Sequence, residues 1–204
     1  HAWREYKLGK RELCGVELPN GMKENDKFPS PIITPTSKAQ VGHDMDLSKD
    51  DIIQSGLINK SDYNKLEEFT YALFETGTNY AKSRGLLLVD TKYEFAVYNE
   101  KIHIIDEIHT PDSSRYFYEE SYEDLQSRGE KQRQLSKEFL REWLIENGFQ
   151  GNEGEEVPEM NDSIISSVSE RYIELYENLI GEKFEKRNTI DILNQIEQNV
   201  NKVI

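Results

Sequence analysis

The chain has a single cysteine, Cys14, in 204 residues, so an internal disulfide is excluded. A lone thiol fits a reducing compartment, and such a residue serves more often as a small buried apolar group than as a nucleophile. Long hydrophobic runs are missing as well. None approaches the roughly eighteen residues that a membrane-crossing helix needs, and no signal-peptide pattern is seen, so a soluble, cytoplasmic protein is expected. Positive charge is scarce: 25 Lys and Arg face 39 Asp and Glu, for a formal net charge of -14. That balance disfavours loose binding to nucleic acid or to an anionic membrane, and any anionic substrate would need a local basic pocket. Clustered glycine is also lacking. Gly9, Gly15 and Gly21 are scattered, and Gly148, Gly151 and Gly154 lie in an acidic stretch, so no glycine-rich phosphate loop is present.

What is there describes a folded chain. Hydrophobic residues make up 36% and charged ones 31%, with eleven Tyr, eight Phe and two Trp, a composition unlike that of disordered segments. The length suits one or two compact units that bury roughly 70% of the extended chain's surface. Ala2 to Leu8 reads as a short helix stopped by Gly9, Leu13 to Leu18 as a strand, and Pro19-Asn20-Gly21 as a turn. Pro29, Pro31 and Pro35 make residues 22–45 an extended loop. Ser48 and Asp51 form a capping-box pattern for a short helix ending at Gly56. Ser61 or Asp62 is read as the cap of a longer helix closed by Gly85, with Tyr63, Leu66, Phe69, Leu73, Tyr80 and Ala81 at helical spacing. Residues 116–133 read as loop with a little helix. Ser136 caps a helix through Asn147, Pro158 opens another that ends at Gly181, and a last helix runs from Thr189 to about Val203, expected to dock on the body.

The most informative stretch is 85–115, where apolar runs carry charges. Read as one strand from Leu86 to Val97, a period of two puts Asp90, Lys92 and Glu94 on one face and Leu87, Val89, Thr91, Tyr93, Phe95 and Val97 on the core face. Ile102 to Ile108 reads as a second strand, making a hairpin, and Thr110-Pro111-Asp112-Ser113-Ser114-Arg115 as a loop leaving it. Charges inside a strand need partners. Two readings are open: a Lys92 to carboxylate ion pair on a wet sheet face, or a site where Glu94 and Asp106 hold Mg²⁺ on a nucleotide while Lys92 meets a phosphate. A two-residue turn at Asn99-Glu100 would send Asp106 to the apolar face, so the metal reading predicts an irregular hairpin. Arg115 offers a planar fork for phosphate, with Ser113 and Ser114 as supporting donors. His1, His43, His103 and His109 match no common zinc spacing and read as structural or surface groups.

Val89-Asp90-Thr91-Lys92-Tyr93-Glu94-Phe95, Ile105-Asp106-Glu107 and Thr110-Pro111-Asp112-Ser113-Ser114-Arg115, together with Phe28-Pro29-Ser30-Pro31-Ile32-Ile33-Thr34-Pro35-Thr36-Ser37-Lys38-Ala39 and Gly42-His43-Asp44, resemble the SAICAR synthetase family. The resemblance runs from Ala2 to about Phe184. It implies an α+β fold, an antiparallel sheet of ATP-grasp or kinase-like type with packed helices and a helical C-terminus. It also implies ATP-dependent ligation of L-aspartate to carboxyaminoimidazole ribonucleotide through an acyl phosphate, with ATP and Mg²⁺ as cofactors. Glu94 and Asp106 would carry Mg²⁺ and Lys92 a nucleotide phosphate. Arg115 with Ser113 and Ser114 would hold the ribonucleotide phosphate, and Lys38, His43, Asp44 and Asp112 would position the reacting groups. Lys137 and Arg141 would add positive charge, although Ser136 stands where the family often has an acid. Residues 1–148 would be the ATP- and substrate-binding lobe and 149–204 a C-terminal helical region with an extra tail, 185–204. The family's first lobe, with its phosphate loop, has no counterpart here, so this chain alone is expected to be incomplete for catalysis. The alternatives are another ATP-dependent carboxylate-amine ligase with the same nucleotide half and a different acceptor, and, given the missing first lobe, a non-catalytic ligand-binding lobe.

Overall fold

A computed structural model describes residues 2–37 and 45–203. The chain begins with helix α1, Ala2–Lys7, followed by the two-residue strands β1, Glu12–Leu13, and β2, Val16–Glu17. Cys14 and Gly15 make the turn between these strands, both with positive φ, so the stretch expected as one strand is a tight hairpin. Tyr6, Leu13 and Leu18 form a small core here, joined by Trp3, Met22 and Phe28. The extended segment that follows carries an isolated bridge between Thr36 and Asp46.

Helix α2, Lys49–Gln54, has the expected capping box: Ser48 accepts from the Asp51 amide and Asp51 from the Ser48 amide. Helix α3, Lys60–Ser83, starts two or three residues earlier than the sequence indicates. Its cap is Asn59, whose side chain accepts from the Asp62 amide, because a free Asx acceptor ahead of the helix outcompetes Ser61 and Asp62 inside it.

The run from Leu86 is two strands and not one. Strand β3, Leu86–Thr91, ends before Lys92, and β4, Glu94–Tyr98, belongs to a different sheet with β5, Lys101–Ile105. The register of β3 shifts between Leu88 and Asp90, a bulge at Val89. The expected core phase is wrong: Leu86 and Leu88, ahead of the bulge, are buried, while Val89 at the bulge and Val97, on β4 of the other sheet, are exposed. After β5 the chain turns through a loop into β6, Ser114–Tyr118, then α4, Glu119–Arg128, and β7, Gln134–Leu135. Residues 114–128, expected mostly as loop, are therefore a central strand and a helix. The signals were the paired acids Glu119 and Glu120 at the helix start and Gly129, left-handed, at its end.

Sheet order is β3-β6-β7, antiparallel throughout. Helix α5, Glu138–Glu146, follows, with the Glu138 amide donating to the Ser136 hydroxyl at 3.2 Å. Helix α6, Asp162–Ile180, starts beyond Pro158 and is capped by Asn161. The main core unites α3, β3, β6, β7 and α6 through Ala81, Leu86, Leu88, Tyr116, Leu135 and Leu175. The architecture is α+β. The last helix, α7, Ile192–Val200, is shorter than expected, and residues 181–203 are exposed along their length, so the described residues of the tail do not dock on the body as expected.

One close approach is set by a glycine. A Cβ on Gly77 of α3 would lie 2.3 Å from the His109 ring. Gly77→Ala should therefore cost about 1–3 kcal/mol of stability. In a His109→Ala background most of that cost should vanish, a coupling that urea denaturation of the four-member mutant cycle will read.

Candidate functional site

Lys92 and Tyr93 form a two-residue link between β3 and β4, and the Lys92 amide donates to the Ser113 carbonyl at 2.8 Å. The hairpin of β4 and β5 is regular. Asn99 and Glu100, both left-handed, make a two-residue turn, and the register pairs Glu94 with Ile105, contrary to the irregular loop that the metal reading predicts. The irregularity lies one residue further on. Asp106 ends the alternation with φ 65°, and its short polar side chain tolerates that conformation. The corner brings Asp106 back toward Lys92 and off the apolar face. Lys92 Nζ lies 2.7 Å from Glu94 Oε1 and 3.7 Å from Asp106 Oδ2. The hydrogen bond that the ammonium donates to Glu94, with the Asp106 charge behind it, raises the lysine above its ordinary value and keeps it protonated.

The loop from Glu107 to Ser113 is tied internally. The Thr110 hydroxyl bonds Glu107, the Thr110 amide donates to Ser113 Oγ at 3.0 Å, and the Ser114 amide donates to the Thr110 carbonyl at 2.9 Å. Ser113 and Ser114 are buried, and the Ser114 hydroxyl donates to Thr91 Oγ1 at 2.8 Å. Ser114 and Arg115 are neighbours on β6, so their side chains leave on opposite faces. The structure thus gathers Lys92, Glu94 and Asp106 and separates the serine hydroxyls from the Arg115 guanidinium. Arg115 faces Asp90 at 3.6 Å and Glu138 at 3.4 Å, and its buried Nε has no hydrogen-bond partner. It borders a cleft of about 810 Å³ shared with Phe117, Gln134, Glu138 and Arg171.

Asp112 is exposed and accepts from the Tyr172 hydroxyl of α6 at 2.5 Å. Burial, then the Asp112 carboxylate, pushes that phenol far above its ordinary value. The Lys137 amide donates to the Pro111 carbonyl at 3.2 Å, which seats the start of α5 against the same loop, and Arg141 lies 3.8 Å from Glu138. Lys38, His43 and Asp44 lie outside the described residues, as does His1. Among the described residues no cluster of three or more His, Cys, Asp or Glu is placed to hold a metal. The Glu94 and Asp106 pair is a two-carboxylate arrangement. Sequence reasoning missed Tyr93, Tyr172 and Glu138 as parts of this region. The only signal for Tyr93 was its place between Lys92 and Glu94.

A model of the family described as SAICAR synthetase matches residues 2–158. The chain belongs to the SAICAR synthetase family. A phosphoribosylaminoimidazole-succinocarboxamide synthase of Bacteroides fragilis is 61% identical over 200 residues, covering 98% of this chain and 64% of the relative. One of Cytophaga hutchinsonii is 59% identical over 204 residues, covering 100% of this chain and 66% of the relative. The chain thus spans about two thirds of the length of these family members. Among solved structures, the SAICAR synthase of Saccharomyces cerevisiae complexed with SAICAR aligns with TM-score 0.72 and 33% identity, over 91% of this chain and 57% of that one. A SAICAR synthetase in complex with ADP aligns with TM-score 0.60 and 26% identity, over 81% and 57%.

In this SAICAR synthetase family chain, His109 is held neutral. Burial lowers its affinity for a proton below the ordinary value of 6.5. The unfolded chain then binds the extra proton first, so stability rises with pH between the folded value and about 6.5, and is lost as pH falls through that window. Denaturation midpoints measured from pH 7 to pH 5 should fall, and His109→Gln should flatten that part of the slope.

Proposed function

We propose that this chain carries the nucleotide- and substrate-binding part of an ATP-dependent carbon-nitrogen ligase. The reaction joins L-aspartate to carboxyaminoimidazole ribonucleotide in purine biosynthesis and releases SAICAR, ADP and phosphate. The observation that supports it most is the convergence of Glu94 and Asp106 on the Lys92 ammonium in a chain of this family. Residues 1–148 would form the lobe that binds ATP and substrate, and 149–204 the helical region, whose Tyr172 reaches Asp112.

The donor set fits Mg²⁺. Two carboxylates aimed at one positive centre are what a hard cation uses when phosphate oxygens and water complete its shell, and the lysine already marks that centre. Bound there, Mg²⁺ would offset charge on the transferring phosphoryl group. ATP is needed because a carboxylate is a poor electrophile, and phosphorylation lets an amine attack it. Lys92, released from Glu94 by the arriving nucleotide, would pair with a phosphate oxygen and stay charged while doing so. Arg115 would meet the ribonucleotide phosphate by exchanging Glu138 for it, since a phosphate accepts the same planar fork. Asp112, held by Tyr172, would orient the amine of aspartate, with Lys38, His43 and Asp44 contributing from their loop and Lys137 and Arg141 adding positive charge nearby.

Two binding measurements test this assignment. By calorimetry, Glu94→Gln should weaken ADP binding in the presence of Mg²⁺ about tenfold or more, without lowering the unfolding midpoint appreciably. Arg115→Lys should weaken ribonucleotide binding about tenfold while ADP affinity stays within about twofold, because only the bidentate geometry is lost. Equal losses for both ligands would assign Arg115 to scaffolding.

A further inference from the structure

We propose that Tyr93 and His109 are a positioning pair that bonds the segment carrying Glu94 to the segment carrying Asp106 and so keeps both carboxylates on one cation site. The inference rests on the cation-site reading above and adds the device that sets the site's geometry.

Neither segment is held where it matters by the sheet. Tyr93 lies in the link after β3 ends at Thr91 and before β4 begins at Glu94, and Asp106 follows the last residue of β5. The ladder aligns Glu94 with Ile105 and then stops, leaving the directions of Lys92 and Asp106 to the links. His109, three residues beyond Asp106, is anchored from three sides. Its ring fills the space over Gly77 of α3. Its carbonyl accepts from the Tyr116 hydroxyl at 2.9 Å, and Tyr116, 1% exposed, belongs to the main core. Its Nε2 lies 2.5 Å from the Tyr93 hydroxyl, with the two rings edge to face at 5.5 Å.

The direction of the bond follows from the surroundings. Burial raises the Tyr93 phenol to about 12 and lowers the imidazole, so the phenol donates and a neutral ring accepts. His109 itself sits at φ 58°, a conformation that costs a histidine free energy unless the contacts around it hold it there. Those contacts reach Tyr93, the residue between Lys92 and Glu94. Core packing is thereby transmitted to the charged cluster by one hydrogen bond.

The test uses the full 204-residue chain, Mn²⁺ with ADP as probe, and the electron paramagnetic resonance signal of free Mn²⁺ as readout. Tyr93→Phe, which removes only the hydroxyl, should weaken Mn²⁺ binding about three- to tenfold, the worth of one such bond. His109→Ala should do the same, and His109→Gln, which keeps an acceptor, should recover affinity to within about twofold of the parent. Glu94→Gln is the control and should weaken binding by more than about tenfold. Parent-like affinity in Tyr93→Phe, with loss in Glu94→Gln, would overturn the pair and leave the cation site standing. Parent-like affinity in Glu94→Gln would overturn the site reading and the pair with it. A loss in Tyr93→Phe and His109→Ala that His109→Gln fails to recover would assign the effect to packing and overturn the proposal.

Discussion

Lys92 stands between two carboxylates in a chain with fourteen more negative than positive formal charges, and the rest of the site depends on that placement. Glu94 and Asp106 would repel one another if nothing cationic lay between them. The ammonium resolves the conflict, and it can move because its side chain is largely exposed and flexible. An exposed pair of this kind adds little to stability. On the proposed reading, its importance is that it keeps two acids together until a stronger cation and a phosphate arrive.

The loop beside the cluster is tied at several points. The 107–113 loop closes on itself through Thr110 and Ser113, is held to the link after β3 through the Lys92 amide, and meets α6 through Tyr172 and Asp112. Arg171, beside Tyr172, lies over the Phe139 ring at 3.9 Å and donates to the Gln134 carbonyl at 3.1 Å. One turn of α6 thus grips the loop, β7 and α5. A rigid scaffold holding a loosely paired set of charges is the arrangement that lets ligands exchange partners without rebuilding the site.

The sequence carried the chemistry further than the geometry. The charges within the 85–115 stretch pointed to Lys92, Glu94 and Asp106, and the capping box at Ser48 and the turns at Gly21 and Gly85 were readable from local rules. The bulge at Val89, the change of sheet at Glu94 and the left-handed corner at Asp106 were not, because each is a local departure from a period of two that alternation alone does not register. Reasoning from alternation alone made Asp106 depend on an irregular turn, when the turn is regular and the corner does the work. Ser114 and Arg115 were grouped because they adjoin in sequence, but strand pleating sends them apart. Residues 114–128 hid a strand and a helix because their polar residues and tyrosines masked the apolar period, although Gly129 marked the stop. The helical pattern of α7 was legible, but whether it is covered depends on contacts that no single-chain periodicity encodes.

The central claim is that Glu94 and Asp106 together hold a divalent cation on a bound nucleotide. Crystals of the chain grown with ADP and Mn²⁺, measured at the manganese absorption edge, test it directly. The account predicts an anomalous peak at about 2.1–2.3 Å from oxygens of both Glu94 and Asp106 and adjoining the nucleotide phosphates, with Lys92 turned away from Glu94. A peak bound to neither carboxylate, or ADP held with Lys92 still paired to Glu94, would contradict it.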